Sequence, residues 1–392
     1  MRRALLTLAL LAACAPARAA SLLRGPYLEN MSRDMVTVRF RLDISTPVWL
    51  TYGAAPDCER FQTILPSQKE QKAPLFGLLP DTTHCYRIYL PAEGTAGVYK
   101  AFEGKFSTFK PEDKPYFSFL AFGDSGAGSA TPEQLALAAQ MDKFSPDFVL
   151  HTGDMTESGL DSDADAQYFK PYAALMARAP FFAALGNHDY GADMKSAAGK
   201  GFIKANYAPF HSVPLTGLPP HYYFFDTANA RFFVLDANAF HGALYAPPLT
   251  PGSKQYKWLD YYLGKGDKAW KFVVVHEPLY STGAHETSEA QLAALEPLFV
   301  KHGVDVVFQG HDHDYERTVP LKDGVPDEAD GVVYVTLGGG GAPLYIQRRN
   351  EEWSEKFVPS YTFAVADVKA GALNMTVYNK DGDVVDTLGI EK

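Results

Sequence analysis

Apolar positions change their period along the chain. Residues 35–42 (MVTVRFRL), 48–53 (VWLTYG), 84–90 (HCYRIYL) and 105–109 (KFSTF) alternate or run apolar, with β-branched and aromatic side chains and turn residues at short intervals. That pattern predicts an all-β region over 20–110. A charged, proline-bearing linker, KPEDKP, follows at 110–115. From Tyr116 the pattern becomes strand–helix alternation. Apolar runs at 116–122, 147–151, 181–185, 270–275 and 304–308 read as buried strands, and 221–238 reads as a hairpin. Helical spacing appears at 131–144, 168–180, 254–265 and 288–303, with Thr131 as N-cap and Pro132 at the first helical position. The tail from 331 onward is β-rich again. These signals predict an α/β core of packed sheets flanked by helices, over 114–392, preceded by a small all-β domain.

Composition narrows the class. The chain has 392 residues, 46% hydrophobic and 21% charged, with a net charge of −10. This is globular composition, and a nucleic-acid surface is not expected. The opening MRRALLTLALLAACAPARAA has two arginines, a short apolar core and small residues. It reads as an export signal, too short to span a bilayer as a helix. Cleavage after Ala19 gives a periplasmic or secreted protein. The alternative is lipidation at Cys14 after LAAC, which makes a membrane-anchored lipoprotein with a leader of residues 1–13. Ordinary cleavage leaves Cys58 and Cys85, an even pair that reads as a disulfide in an oxidising compartment.

The candidate chemistry sits where the buried strands stop. Each run ends in a polar cluster: Gly-Asp124-Ser-Gly, Gly-Asp154, Gly-Asn187-His188-Asp189, His276-Glu277-Pro and Gly-His311-Asp-His313. Ligands bind at such strand ends in open α/β sheets. Uncompensated buried carboxylates cost several kcal/mol, and cations offset that cost. Oxygen donors with imidazoles and no thiolate suit two ions drawn from Fe, Mn and Zn. Glycine beside each cluster lets the backbone turn close to the ions.

In this order, Asp-x-Gly, Gly-Asp, Gly-Asn-His-Asp, apolar-x-x-His and Gly-His-x-His resemble the calcineurin-like metallophosphoesterases. RGPYLEN at 24–30, HEPLYSTGAH at 276–285 and GHDHDYER at 310–317 are similar to purple acid phosphatase segments. The stretch GLLPDTTHCYRIYL resembles a corner of a fibronectin type III sandwich. The resemblance implies a four-layer α/β/β/α sandwich. It implies that Asp124 and His313 bind one metal, that Asp154 bridges, and that Asn187, His276 and His311 bind the other. It places His188 beyond the metals as phosphate donor or leaving-group acid, with Asp189 orienting it or lying solvated. His285 would face substrate or sit at the surface, and Tyr315 would border the pocket or pack. His84, His211, His221, His241 and His302 are read as ordinary histidines, and the glycines at 338–341 as a tight turn near the site.

The implied activity is hydrolysis of phosphate monoesters by in-line attack of a metal-bound hydroxide on a small phosphate-ester substrate. A phosphodiesterase or nucleotidase on the same core is the alternative, decided by rim loops at 190–220 and 239–256. A non-catalytic binding protein with a relic site is the other alternative. One position departs from the family. Purple acid phosphatases carry a tyrosine three residues after the bridging aspartate, and this chain has Glu157. Either Glu157 binds the first metal as a hard carboxylate, or water completes that shell. Both imply a site without a tyrosinate colour.

Overall fold

The computed structural model describes residues 19–126, 130–191, 194, 221–266 and 268–392. The export leader, with Cys14 and most of its alternative cleavage signals, lies outside the described residues, as do His211 and most of the rim at 190–220. The N-terminal region forms five antiparallel strands: β1 (Leu22–Glu29), β2 (Met35–Ala54), β3 (Phe61–Phe76), β4 (Thr83–Pro91) and β5 (Val98–Ser107). The two apolar runs read separately at 35–42 and 48–53 join into the single strand β2, whose pairing with β3 shifts register between Arg41, Thr46 and Val48. One edge of β2 lies along β3, while its other edge serves β1 first and β4 afterwards. Cys58, after β2, is disulfide-bonded to Cys85 in β4, with Cα atoms 5.2 Å apart.

The next strands are β6 (Tyr116–Phe122), β7 (Phe148–His151), β8 (Phe181–Ala183), β9 (Tyr223–Thr227), β10 (Ala230–Val234), β11 (Trp270–Val274), β12 (Val306–Gln309) and β13 (Tyr315–Thr318). A short hairpin, β14 (Leu321–Lys322) and β15 (Val325–Pro326), precedes β16 (Val333–Leu337), β17 (Ser354–Val358), β18 (Thr362–Lys369), β19 (Ala372–Asn379) and β20 (Val384–Glu391). They build two sheets. One runs β20-β19-β18-β6-β7-β8, and the other β17-β13-β16-β12-β11-β10-β9. Strands β6, β7 and β8 are parallel, as are β10, β11, β12 and β16, while antiparallel strands flank them.

Side-chain alternation decides the layers. In β6, Phe117, Phe119 and Ala121 face the space between the sheets, while Leu120 and Phe122 face helices. In β10, Phe232 and Val234 point inward and Phe233 outward. A buried parallel strand is apolar on both faces, which is why these runs lack a polar alternation. The inter-sheet seam is largely phenylalanine. Phe119 meets Phe308 at 5.7 Å, Phe148 meets Phe232 at 5.1 Å, and Phe182 stacks on Phe225. Burying each such ring contributes about 1.5–3 kcal/mol. The helix Pro132–Met141, capped by Thr131 as its sequence predicts, covers one outer face; the helices Lys254–Leu263 and Glu289–His302 cover the other. The result is an α/β/β/α sandwich.

The N-terminal region is fixed to this body by a buried cation. Arg24 is fully buried; its Nε donates to Asp165 Oδ1 at 2.6 Å and its Nη1 to Asp161 Oδ1 at 2.8 Å. Its guanidinium lies 4.3 Å from the centre of the Phe169 ring. Tyr86 adds an O–H bond of 2.9 Å to the Ala177 carbonyl.

Candidate metal centre

The parallel strands of both sheets end side by side, and the residues that follow them turn sharply. Asp124 follows β6, Asp154 follows β7, and His311 follows β12. All three adopt left-handed backbone, at φ 55°, 55° and 68°. Such conformations cost a non-glycine residue about 1–3 kcal/mol and concentrate at functional sites. Here they swing three side chains into one space. One ligand atom each from Asp154, His276 and His311 lies within 4.8 Å of the others. Asn187 joins them, its Oδ1 3.0 Å from His276 Nε2, and Asp154 Oδ2 is 3.4 Å from that same nitrogen. Asp124 and His313 form a neighbouring pair, with His313 Nε2 3.8 Å from Asp124 Oδ1, and Asp124 feels the charge of Asp154.

Two ring orientations are set from behind. His276 Nδ1 lies 3.0 Å from the Thr152 carbonyl, and His313 Nδ1 lies 2.7 Å from the Pro343 carbonyl. A carbonyl can only accept, so Nδ1 carries a proton in both rings and Nε2 is the atom turned toward the cluster. Burial opposes charge on His276, but Asp154 and Asp124 outweigh it and raise its pKa well above the ordinary value. Burial holds His311 and His313 below the usual imidazole range, which keeps them neutral, as ligands must be.

The carboxylates need compensation. Asp124 is fully buried, and burial with the nearby Asp154 charge pushes its pKa well up. The His311 amide donates to both of its oxygens, at 3.0 and 3.1 Å. Burial pushes Asp154 up, but the charge on protonated His276 and its hydrogen bond outweigh it and hold the carboxyl low. Among the described residues, neither carboxylate has a lysine or arginine in an ion pair. Cations therefore fit: two buried carboxylates, an amide oxygen and three imidazoles gather with no lysine or arginine paired to the carboxylates, and bound ions would take the place of the proton on His276.

His188 is at the rim, with its side chain 34% exposed. Its amide donates to Asp154 Oδ1 at 2.9 Å, and its Nδ1 meets the Glu157 carbonyl at 2.9 Å, so Nε2 points away from this loop. Burial opposes charge on His188, but Asp154 and the Glu157 carbonyl raise its pKa above the ordinary value. Asp189 does not orient it. That carboxylate is fully buried and accepts from the amides of Asp154, Met155, Thr156 and Gly186, stapling two ligand loops together. Glu157 is half exposed, with Oε1 3.6 Å from His188 Nδ1, outside the Asp154, His276 and His311 group. His285 lies at the site, its ring 3.9 Å from that of His311. Tyr315 does not border the pocket. It is fully buried in the seam between the sheets, and its O–H donates to Asp386 Oδ2 at 2.7 Å. The strand β13 begins at this residue and turns its side chain inward.

Three neighbours escaped the sequence reading. His241, read as ordinary, has its ring 6.3 Å from His311. Tyr345 stacks on His313 at 4.2 Å. Asp312, between the two histidines, is hydrogen-bonded to His285. Only Asp312 carried a signal, its place inside the motif.

A four-layer sandwich that gathers carboxylates, an amide and imidazoles at the abutting strand ends defines the metallophosphoesterase class. The chain belongs to the calcineurin-like phosphoesterase family, whose model matches residues 99–315. It is similar to purple acid phosphatase 21 of Arabidopsis thaliana, 30% identical over 251 residues, covering 60% of this chain and 53% of the relative. A second relative, Fe(3+)-Zn(2+) purple acid phosphatase 12 of Arabidopsis thaliana, is 27% identical over 251 residues, covering 58% of this chain and 51% of that protein. The chain thus spans about half the length of these relatives. A solved purple acid phosphatase from yellow lupin seeds shares the fold, with a TM-score of 0.76 and 19% identity over 94% of this chain and 74% of that one.

Proposed function

We propose that this chain is an exported, dinuclear metal-dependent phosphatase acting on small phosphate monoesters. The observation that carries the reading is the convergence of Asp154, His276 and His311, with Asn187 beside His276 and the Asp124–His313 pair next to them. Asp124 and His313 would hold one ion, Asn187, His276 and His311 the other, and Asp154 would touch both. The metals would be drawn from Fe, Mn and Zn; the relative named for Fe(3+) and Zn(2+) supports that choice. Bound there, two such cations would supply charge to offset the phosphoryl oxygens and would lower the pKa of a coordinated water.

The remaining chemistry belongs to the side chains. His188 presents Nε2 at the open rim, where mildly acidic solution favours a proton on an imidazole. It would donate to a phosphoryl oxygen or to the departing alkoxide. Thr152 and Pro343 hold two ligand rings still, so the donor set is organised before substrate arrives. Export rests on the leader sequence, and no helix among the described residues is long and apolar enough to cross a membrane.

A substrate panel tests the reading. Protein purified without chelator should hydrolyse p-nitrophenyl phosphate and sugar phosphates faster than bis-p-nitrophenyl phosphate or nucleoside cyclic phosphates. His188→Ala should keep its metals and lose about 100-fold or more in kcat. Faster turnover of the diesters would assign the site to the alternative substrate class. Loss of both metals from His188→Ala would make it a ligand instead.

A further inference from the structure

The residue between the two motif histidines does more than space them. Asp312 is fully buried, and its carboxylate is the hub of the segment 281–285. Ser281 Oγ donates to Oδ2, and the Ala284 and His285 amides donate to Oδ1, each at 3.0 Å. His285 Nδ1 comes closer than either amide, 2.7 Å from Oδ1. Gly283 permits this wrapping, since a Cβ there would stand 2.8 Å from Asp312 Oδ2. Arg349 closes the segment from outside, donating to the carbonyls of Ser281 at 3.0 Å and His285 at 2.6 Å.

The geometry fixes which edge of the His285 ring faces the cleft. Nδ1 is turned into the protein, against a carboxylate held by three other donors. Nε2 is then the ring nitrogen left for a ligand. The ring lies over His311 at 3.9 Å, with Tyr345 at 5.5 Å on its flank.

We infer that Asp312 is a positioning residue for the hydrolysis: through the Nδ1 bond it holds His285 with Nε2 directed at the phosphate ester bound in front of His311. A free histidine ring on a loop samples several rotamers, and ordering it at binding costs affinity. Asp312 has met that cost in the fold, so the effect belongs in KM and in phosphate affinity more than in kcat. The inference rests on the phosphatase reading for its substrate, though its structural half does not.

A double-mutant cycle with a spectroscopic companion tests it. In zinc-loaded protein with 15N-labelled histidine, His285 Nδ1–H should give a slowly exchanging signal that disappears in Asp312→Ala. Asp312→Ala should raise KM for p-nitrophenyl phosphate and Ki for inorganic phosphate by about 10- to 100-fold, with unchanged metal content. Asp312→Asn, whose amide oxygen still accepts from Nδ1, should recover most of that loss. In the His285→Ala background, Asp312→Ala should change KM by less than about twofold. Equal losses in both backgrounds would show a merely structural role and overturn the inference, as would absence of the Nδ1–H signal from the unmutated protein. An inactive wild-type protein that shows the signal would instead strike at the proposed function and leave the His285–Asp312 bond standing.

Discussion

Gly186→Ala is the smallest change that should dismantle the centre. Gly186 precedes Asn187 and packs against the loop that carries Asp154. A Cβ built on it would lie 2.1 Å from Asp154 Oδ1 and 2.4 Å from the Asp154 amide nitrogen. Contacts under 3.0 Å are not tolerated, so these atoms must part by at least 0.9 Å and 0.6 Å. The carboxylate cannot yield freely, because Oδ1 accepts the His188 amide and the Asp154 amide is bound by Asp189. The added methyl therefore moves the Asp154 side chain by about 1 Å, a displacement that costs about 100-fold in rate when it falls on reacting geometry. The assay is hydrolysis of p-nitrophenyl phosphate with parallel metal analysis and circular dichroism. The expected variant is folded, has lost metal, and has kcat/KM down about 100-fold. Gly97→Ala is the control: its nearest atom would be Thr95 Oγ1 at 3.5 Å, and it should behave as wild type. A Gly186→Ala protein with full metal content and activity within about threefold of wild type would refute the packing argument.

Arg24→Met should loosen the N-terminal region. Breaking a buried ion pair costs about 3–5 kcal/mol, reduced here to about 2 kcal/mol because water reaches the two aspartates; their side chains are 33% and 25% exposed. Burial raises the pKa of Asp161, but the bonds from Arg24 and Arg41 outweigh it and hold the carboxyl below its usual value. A depressed folded pKa gives stability that is present above the unfolded value of about 3.9 and is lost as pH falls through the folded one. Urea unfolding of the variant should therefore show a shallower loss of stability below pH about 4 than the wild type, and an unchanged acid slope would contradict this. Replacing Cys58 and Cys85 by alanine should cost about 3.5 kcal/mol by the chain-entropy relation for residues 27 apart. Thiol titration of denatured, unreduced protein should find neither cysteine free.

The gathering of Asp154, His276 and His311 was readable because each candidate follows a buried apolar strand, and strands of known direction must deliver their ends to one edge. The layers were readable for the same reason: runs apolar on both faces have to be covered twice. What was not readable depends on side-chain direction after the strand ends. Tyr315 lies two residues beyond His313, yet the chain has re-entered a sheet there and the ring turns into the core. Asp312 should face away from both histidines on an ideal strand, but His311 is left-handed and the alternation breaks. His241 is a lone histidine at the end of the short helical turn Asn238–His241, and only the tertiary fold brings it near His311. The length of β2 was hidden by the register shifts around Thr46, which divide its apolar pattern into two.

Metal stoichiometry tests the central claim most directly. Protein purified without chelator, and Asp154→Asn purified beside it, would be analysed by inductively coupled plasma mass spectrometry and visible spectroscopy. The proposed sharing of Asp154 between two ions predicts two first-row transition metals per wild-type chain, no tyrosinate charge-transfer band, and loss of both ions from the variant. Two ions retained by Asp154→Asn, or a wild-type chain that takes up a single ion under saturating Fe, Mn and Zn, would contradict it.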